Sequence, residues 1–153
     1  LHLCDRRQRQ MCIRDRVRGD LKVDEHHTVE DTAIVLGECF AKALGSKKGI
    51  ERYGFALPMD DAKAEVLLDF GGRTWLEWGV TLKREYVGDF PTEMARHFFA
   101  SFCQSGLCNL HISAQGENTH HILEAVFKAF ARAVRQAIRQ TGGGIPSSKG
   151  CLA

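Results

Sequence analysis

Asp24-Glu25-His26-His27-Thr28-Val29-Glu30 and Asn118-Thr119-His120-His121-Ile122-Leu123-Glu124 share one pattern: an Asp or Asn, any residue, two adjacent histidines, and a glutamate three positions later. Asp and Asn side chains accept hydrogen bonds from amides in a helix's first turn. Each copy therefore opens a helix, with its histidine pair in the first turn and its glutamate one turn on. A motif repeated together with its cap indicates an internal duplication. The chain reads as α+β, two related half-domains that each pair a small sheet with helices. The first of these halves is expected to be incomplete, its opening strands missing.

Outward from the first copy, Val29, Ala33, Leu36, Phe40 and Leu44 recur at steps of three and four, with Gly45 behind them. This spacing predicts an amphipathic helix over 28–44 with a left-handed cap. Tyr53–Leu57, Ala64–Phe70 and Thr74–Leu82 are short, β-branched and aromatic, with Pro58 and Gly71-Gly72 as breaks, which predicts a small antiparallel sheet. Pro91 is expected in the first turn of a second helix that presents Met94, Phe98, Phe99 and Phe102 and ends at Gly106. Leu110–Ala114 reads as a strand. Residues 119–140 read as the longest helix, with Ile122, Leu123, Val126, Phe127, Phe130, Val134 and Ile138 inward. Gly142 to Gly150 reads as a loop.

The chain has 153 residues, 44% of them hydrophobic, enough for one core. No run of about 18 apolar residues occurs, so no membrane partner is expected. Residues 1–18 differ from the rest: six arginines and two aspartates give them a local charge of +4. Met11-Cys12-Ile13-Arg14-Asp15-Arg16 resembles the translation of a sequencing adapter, so 1–18 are read as foreign or as a disordered basic segment, and His2 is given no role. Without that +4 the formal net charge of +2 becomes −2, and no nucleic-acid partner is implied. The six cysteines, at 4, 12, 39, 103, 108 and 151, form no CxxC pair and read as reduced thiols of a cytoplasmic protein.

Adjacent residues on a helix diverge by about 100°, so His26 and His27 cannot serve one ion together, nor can His120 and His121. Two copies therefore suggest two metal sites, each with a carboxylate from Glu30 or Glu124, and His97 could complete an octahedral set. Imidazoles with one carboxylate suit zinc, manganese, iron, copper or nickel and do not choose among them. A zinc hydrolase is disfavoured because no HExxH is present. The remaining alternative is a non-catalytic module in which the histidine pairs bridge subunits.

Six motifs in order along 19–153 resemble the imidazoleglycerol-phosphate dehydratase family: His26-His27-Thr28-Val29-Glu30-Asp31, Pro58-Met59-Asp60-Asp61-Ala62, Gly72-Arg73, Gly116-Glu117-Asn118 with His120-His121, Phe127-Lys128-Ala129, and Pro146-Ser147-Ser148-Lys149-Gly150. The resemblance implies ribosomal-protein-like βαβ units and a domain over 19–153. It implies dehydration of D-erythro-imidazoleglycerol phosphate to imidazoleacetol phosphate in histidine biosynthesis. The active site would contain two manganese ions (Mn2+) that bind the substrate as imidazolate, and would be shared between subunits of a 24-subunit shell. His26, His27, Glu30, His97, His120, His121 and Glu124 fall on the family's metal-ligand positions, with Glu30 and Glu124 at the catalytic ones. Arg52, Arg73, Ser147, Ser148 and Lys149 fall on positions that contact substrate, chiefly its phosphate. A further family histidine and a proton-transferring glutamate would lie upstream of Gly19, so this chain is expected to be inactive or poorly folded alone.

Overall fold

A computed structural model describes residues 16–54, 57–148 and 150. Helix α1 spans Glu25–Leu44 and starts where its cap places it. Asp24 is extended and its side chain accepts the His26 amide at 2.9 Å. At the other end Gly45 donates its N–H to the Ala41 carbonyl, and its φ of 51 with ψ of −119 suits glycine but is not the left-handed helical cap that was expected. Strands β1 (Tyr53–Gly54), β2 (Leu57–Met59), β3 (Ala62–Asp69) and β4 (Trp75–Val80) follow, and then a two-stranded hairpin, β5 (Tyr86–Val87) with β6 (Phe90–Pro91). Helix α2 (Glu93–Gly106), strand β7 (Asn109–Gln115) and helix α3 (Thr119–Ala137) complete the order.

The sheet is mixed, not antiparallel as the strand pattern suggested. Its order is β1-β3-β7-β4, with β2 also on β3. β3 runs antiparallel to β7 from Lys63↔Gln115 to Asp69↔Asn109, whereas β4 runs parallel to β7 from Trp75↔Asn109 to Val80↔Ala114. The reason is the intervening helix: a strand, a helix and a strand in one sheet make a crossover unit, and only parallel strands need one. Pro58 does not break the chain but pairs with Lys63 in β2. The reversal falls at Asp60, whose φ is 44.

Pro91 belongs to β6, opposite Tyr86, and not to the first turn of α2. The Thr92 hydroxyl is bonded to the Arg84 carbonyl and its amide to that of Glu85, which holds this segment on the hairpin until Glu93. Gly106 stays inside α2, and the left-handed residue that ends the helix is Leu107, with φ 51. α1 and α2 lie side by side in the same direction, His97 beside Glu30 and Gly106 beside Gly37. A Cβ on Gly37 would lie 2.1 Å from Ser105 Oγ and 2.7 Å from the Gly106 nitrogen, so glycine sets how closely the helices approach. α3 ends at Ala137, short of the expected 140, because the chain beyond it pairs with the loop before β1. The Glu51 and Arg52 amides donate to the Arg139 and Ala137 carbonyls, and Ile138 is left 36% exposed.

One face of the sheet, Ala62, Ala64, Val66, Leu68, Leu110, Ile112 and Ala114, packs into the core with α3 and with Phe70, Phe99, Phe102 and Phe130. No helix among the described residues is long and apolar enough to cross a membrane.

Lys47 departs from this economy. The residue is 4% exposed, and its Nζ is buried without a hydrogen-bond partner. Burial holds its amine below the ordinary lysine range. Lys47→Met is expected to raise the unfolding free energy by about 1 kcal/mol at neutral pH, by removing an unsatisfied charge. With the folded-state pKa lowered, the penalty is full below that pKa and disappears as pH rises to the unfolded value of about 10.4. Urea denaturation of both proteins across that pH range should therefore show the two midpoints converging.

Candidate metal centre

Three side chains from two helices converge beside the first turn of α1. His26 Nε2 lies 4.0 Å from Glu30 Oε2, one helical turn on. His97, on α2, places its Nε2 3.2 Å from Glu30 Oε1, and its ring centroid is 4.5 Å from that of His26. One ligand atom from each residue fits within a mutual separation of 4.8 Å. Bonds of about 2.1 Å would put neighbouring octahedral ligands about 3 Å apart and opposite ones about 4.2 Å apart, the range seen here. His97 Nε2 is buried and unsatisfied, because its approach to Glu30 lacks hydrogen-bond geometry despite the short distance. A buried ring nitrogen and a carboxylate oxygen facing one point are the donor set a divalent cation takes, so these residues fit a metal ion.

The second copy reproduces the local geometry. Asn118 accepts the His120 amide at 2.9 Å, as Asp24 does for His26. His120 Nε2 lies 3.3 Å from Glu124 Oε2, while the other oxygen of Glu124 receives Lys128 Nζ at 2.6 Å. Lys128 holds the Glu124 carboxyl below its ordinary pKa, with the histidines adding smaller contributions. No third ligand joins this pair among the described residues.

The second histidine of each pair diverges from the first, as adjacency on a helix demands. His27 is exposed, its ring 5.6 Å from that of His26 and steeply inclined to it. His121 turns toward the β2–β3 reversal, where Nδ1 hydrogen-bonds Asp61 Oδ1. That contact raises the His121 pKa and, with the Asn118 and Glu117 amides, depresses the Asp61 carboxyl far below the carboxylate range. Asp61 and Lys128 were given no role from the sequence. Lys128 was detectable as the i+4 partner of Glu124, but Asp61, 60 residues from His121, had no local signal.

Among the positions expected to contact substrate, Arg52 reaches the C-terminal loop that carries Ser147 and Ser148. Arg52, in a left-handed conformation with φ 74, directs Nε and Nη2 to the two oxygens of Asp69 and Nη1 to the Pro146 carbonyl at 2.9 Å. Its guanidinium ties the C-terminal loop to the sheet. Arg73 is exposed beside Gly72, Ser147 is half-buried, Ser148 is exposed, and Lys149 lies outside the described residues. Beside His120 and Glu124 a hollow of about 300 Å³ is walled by Val87, Phe90, Leu123 and Phe127.

The fold and the site together define an α+β protein with two capped helices that carry histidine–glutamate pairs, the first of which forms with His97 a cluster suited to a divalent metal. The family model described as imidazoleglycerol-phosphate dehydratase matches residues 5–134, and the chain belongs to that family. The matched span takes in most of the segment 1–18 that the sequence reading set aside, of which 1–15 lie outside the described residues. The histidine biosynthesis bifunctional protein HisB of Spirosoma linguale is 56% identical over 139 residues, covering 89% of this chain and 36% of that protein. Its counterpart in Bacteroides fragilis is 58% identical, covering 90% and 37%. The chain thus spans little more than a third of these relatives. Among solved structures, imidazoleglycerol-phosphate dehydratase from Staphylococcus aureus superposes with a TM-score of 0.75 at 40% identity, over 77% of this chain and 70% of that one. The enzyme from Pyrococcus furiosus, in complex with (S)-C348, gives 0.74 at 31% identity, over 84% and 72%.

Proposed function

We propose that this chain dehydrates D-erythro-imidazoleglycerol phosphate to imidazoleacetol phosphate, a hydro-lyase step of histidine biosynthesis. Membership of the dehydratase family supports this reading, and the observation that carries it is the buried, unsatisfied Nε2 of His97 facing Glu30 beside His26. His26, Glu30 and His97 would hold one manganese ion and His120 with Glu124 a second, His27 and His121 supplying further imidazoles. Bound there, manganese supplies Lewis acidity for a substrate that has no carbonyl beside the carbon losing its hydrogen. The reaction removes that hydrogen as a proton and a side-chain hydroxyl as water, and the resulting enol becomes the ketone.

Glu30 and Glu124 are the catalytic carboxylates of this assignment. Arg73 and the Ser147, Ser148 and Lys149 loop receive the phosphate through charge and hydroxyl donors. Arg52 contributes by anchoring that loop at Pro146. We further assign the domain to residues 19–153, with α1 and α3 opening its two related halves, in a cytoplasmic homo-oligomer such as a 24-subunit shell.

The test is conversion of imidazoleglycerol phosphate by this chain with Mn2+. In place of the inactivity expected from the sequence alone, and because the family match already begins at residue 5, product formation that stops on chelation and returns with added Mn2+ is expected. Tight Mn2+ binding with no turnover would replace the reading with a non-catalytic metal module.

A further inference from the structure

The Asp61 carboxylate is occupied from three sides. Oδ2 accepts the Glu117 amide at 2.8 Å and the Asn118 amide at 3.1 Å, just ahead of α3, and Oδ1 meets His121 Nδ1. Asp61 sits in the reversal between β2 and β3, so it clasps that hairpin to the start of the helix bearing the second histidine pair. An ionised carboxylate only accepts hydrogen bonds. Its partner nitrogen must therefore carry the proton, and the neutral His121 ring is left with its lone pair on Nε2. The ring of His27, the matching histidine of the first copy, is exposed and lies edge-on to the His26 ring.

We infer that Asp61 is a positioning residue for His121: it fixes the imidazole's tautomer and direction so that Nε2 is offered to a divalent metal ion. The inference rests on the metal-ligand reading above. Carboxylates behind ligating histidines act in this way elsewhere, and losing one costs about 10- to 100-fold in affinity.

Two substitutions separate this role from a purely structural one. In Asp61→Asn the amide oxygen remains the natural acceptor for the Glu117 and Asn118 amides, which leaves the NH2 group facing His121. That group donates to Nδ1, moves the ring proton to Nε2 and blocks the metal-binding lone pair. Asp61→Ala loses the clasp but leaves the ring free to adopt either tautomer. Mn2+ titration calorimetry at mildly alkaline pH should therefore show Asp61→Asn binding more weakly than Asp61→Ala, with a loss of about 10- to 100-fold from the unaltered chain. Thermal stability without metal should rank the other way, Asp61→Ala being the less stable. Nitrogen-15 shifts of the His121 ring in the metal-free chain should place the proton on Nδ1, and on Nε2 in Asp61→Asn.

Equal Mn2+ affinity in all three proteins, weaker binding by Asp61→Ala than by Asp61→Asn, or an unaltered chain with the proton on Nε2 would each overturn the inference. If the unaltered chain binds no Mn2+, the metal reading itself fails and the inference falls with it.

Discussion

Glu30→Gln is expected to weaken Mn2+ binding by about 100-fold or more while leaving the metal-free protein as stable as before. Loss of an outer partner of a ligand already costs roughly 10- to 100-fold, and Glu30 stands at the centre of its cluster, with His97 at 3.2 Å and His26 at 4.0 Å. The glutamine keeps the shape and loses the charge that balances a divalent ion. Without metal the change is mild, because the new NH2 group can donate to the unsatisfied Nε2 of His97. Thermal denaturation with and without Mn2+ reads both effects. Metal at 100 times its dissociation constant stabilises by about 2.7 kcal/mol, and a 100-fold weaker site at the same concentration by about 0.4 kcal/mol. A full metal-induced stabilisation retained in Glu30→Gln would remove this glutamate from the site.

Phe99→Ala is expected to cost about 3–5 kcal/mol, the range for deleting a fully buried aromatic ring. Phe99 is 0% exposed, and its ring centroid lies 5.1–5.8 Å from those of Phe98, Trp78, Phe127 and Phe130. It joins α2 and α3 to β4, and two residues before it α2 carries His97. The loss is a large share of the roughly 5–15 kcal/mol that holds a domain together. Urea denaturation should show the midpoint falling with an unchanged slope, and Mn2+ affinity should fall as His97 loses its support. A cost under about 1 kcal/mol would mean that the neighbouring rings close the gap, contrary to close packing.

Much of the site could be read in the chain because its determinants are local. Asp24 and Asn118 cap their helices from two residues before the amides they bind, and Glu30 and Glu124 reach back one turn to His26 and His120. Such contacts lie within one helical turn, and a repeated pattern exposes them. The divergence of His27 and His121 follows from the same geometry. The parallel β4–β7 pairing was also latent in the strand–helix–strand order, although alternation of apolar residues alone does not encode strand direction.

What only the tertiary structure decided was who meets whom over long separations. His97 reaches Glu30 because glycine at 37 lets α1 and α2 lie close, and nothing near His97 announces that. The family resemblance puts Arg52 at a substrate-contacting position, and only the fold shows that its guanidinium also meets Asp69 and the Pro146 carbonyl. Asp61 meets His121 because β2 and β3 turn back at Asp60, against the start of α3. The sequence by itself determined the capped helices, their histidine pairs and a metal-binding chemistry, since these are set within a turn. Packing of the glycine-mediated helix contact and the mixed sheet decided which of those groups share one point in space, since that depends on contacts no local pattern contains.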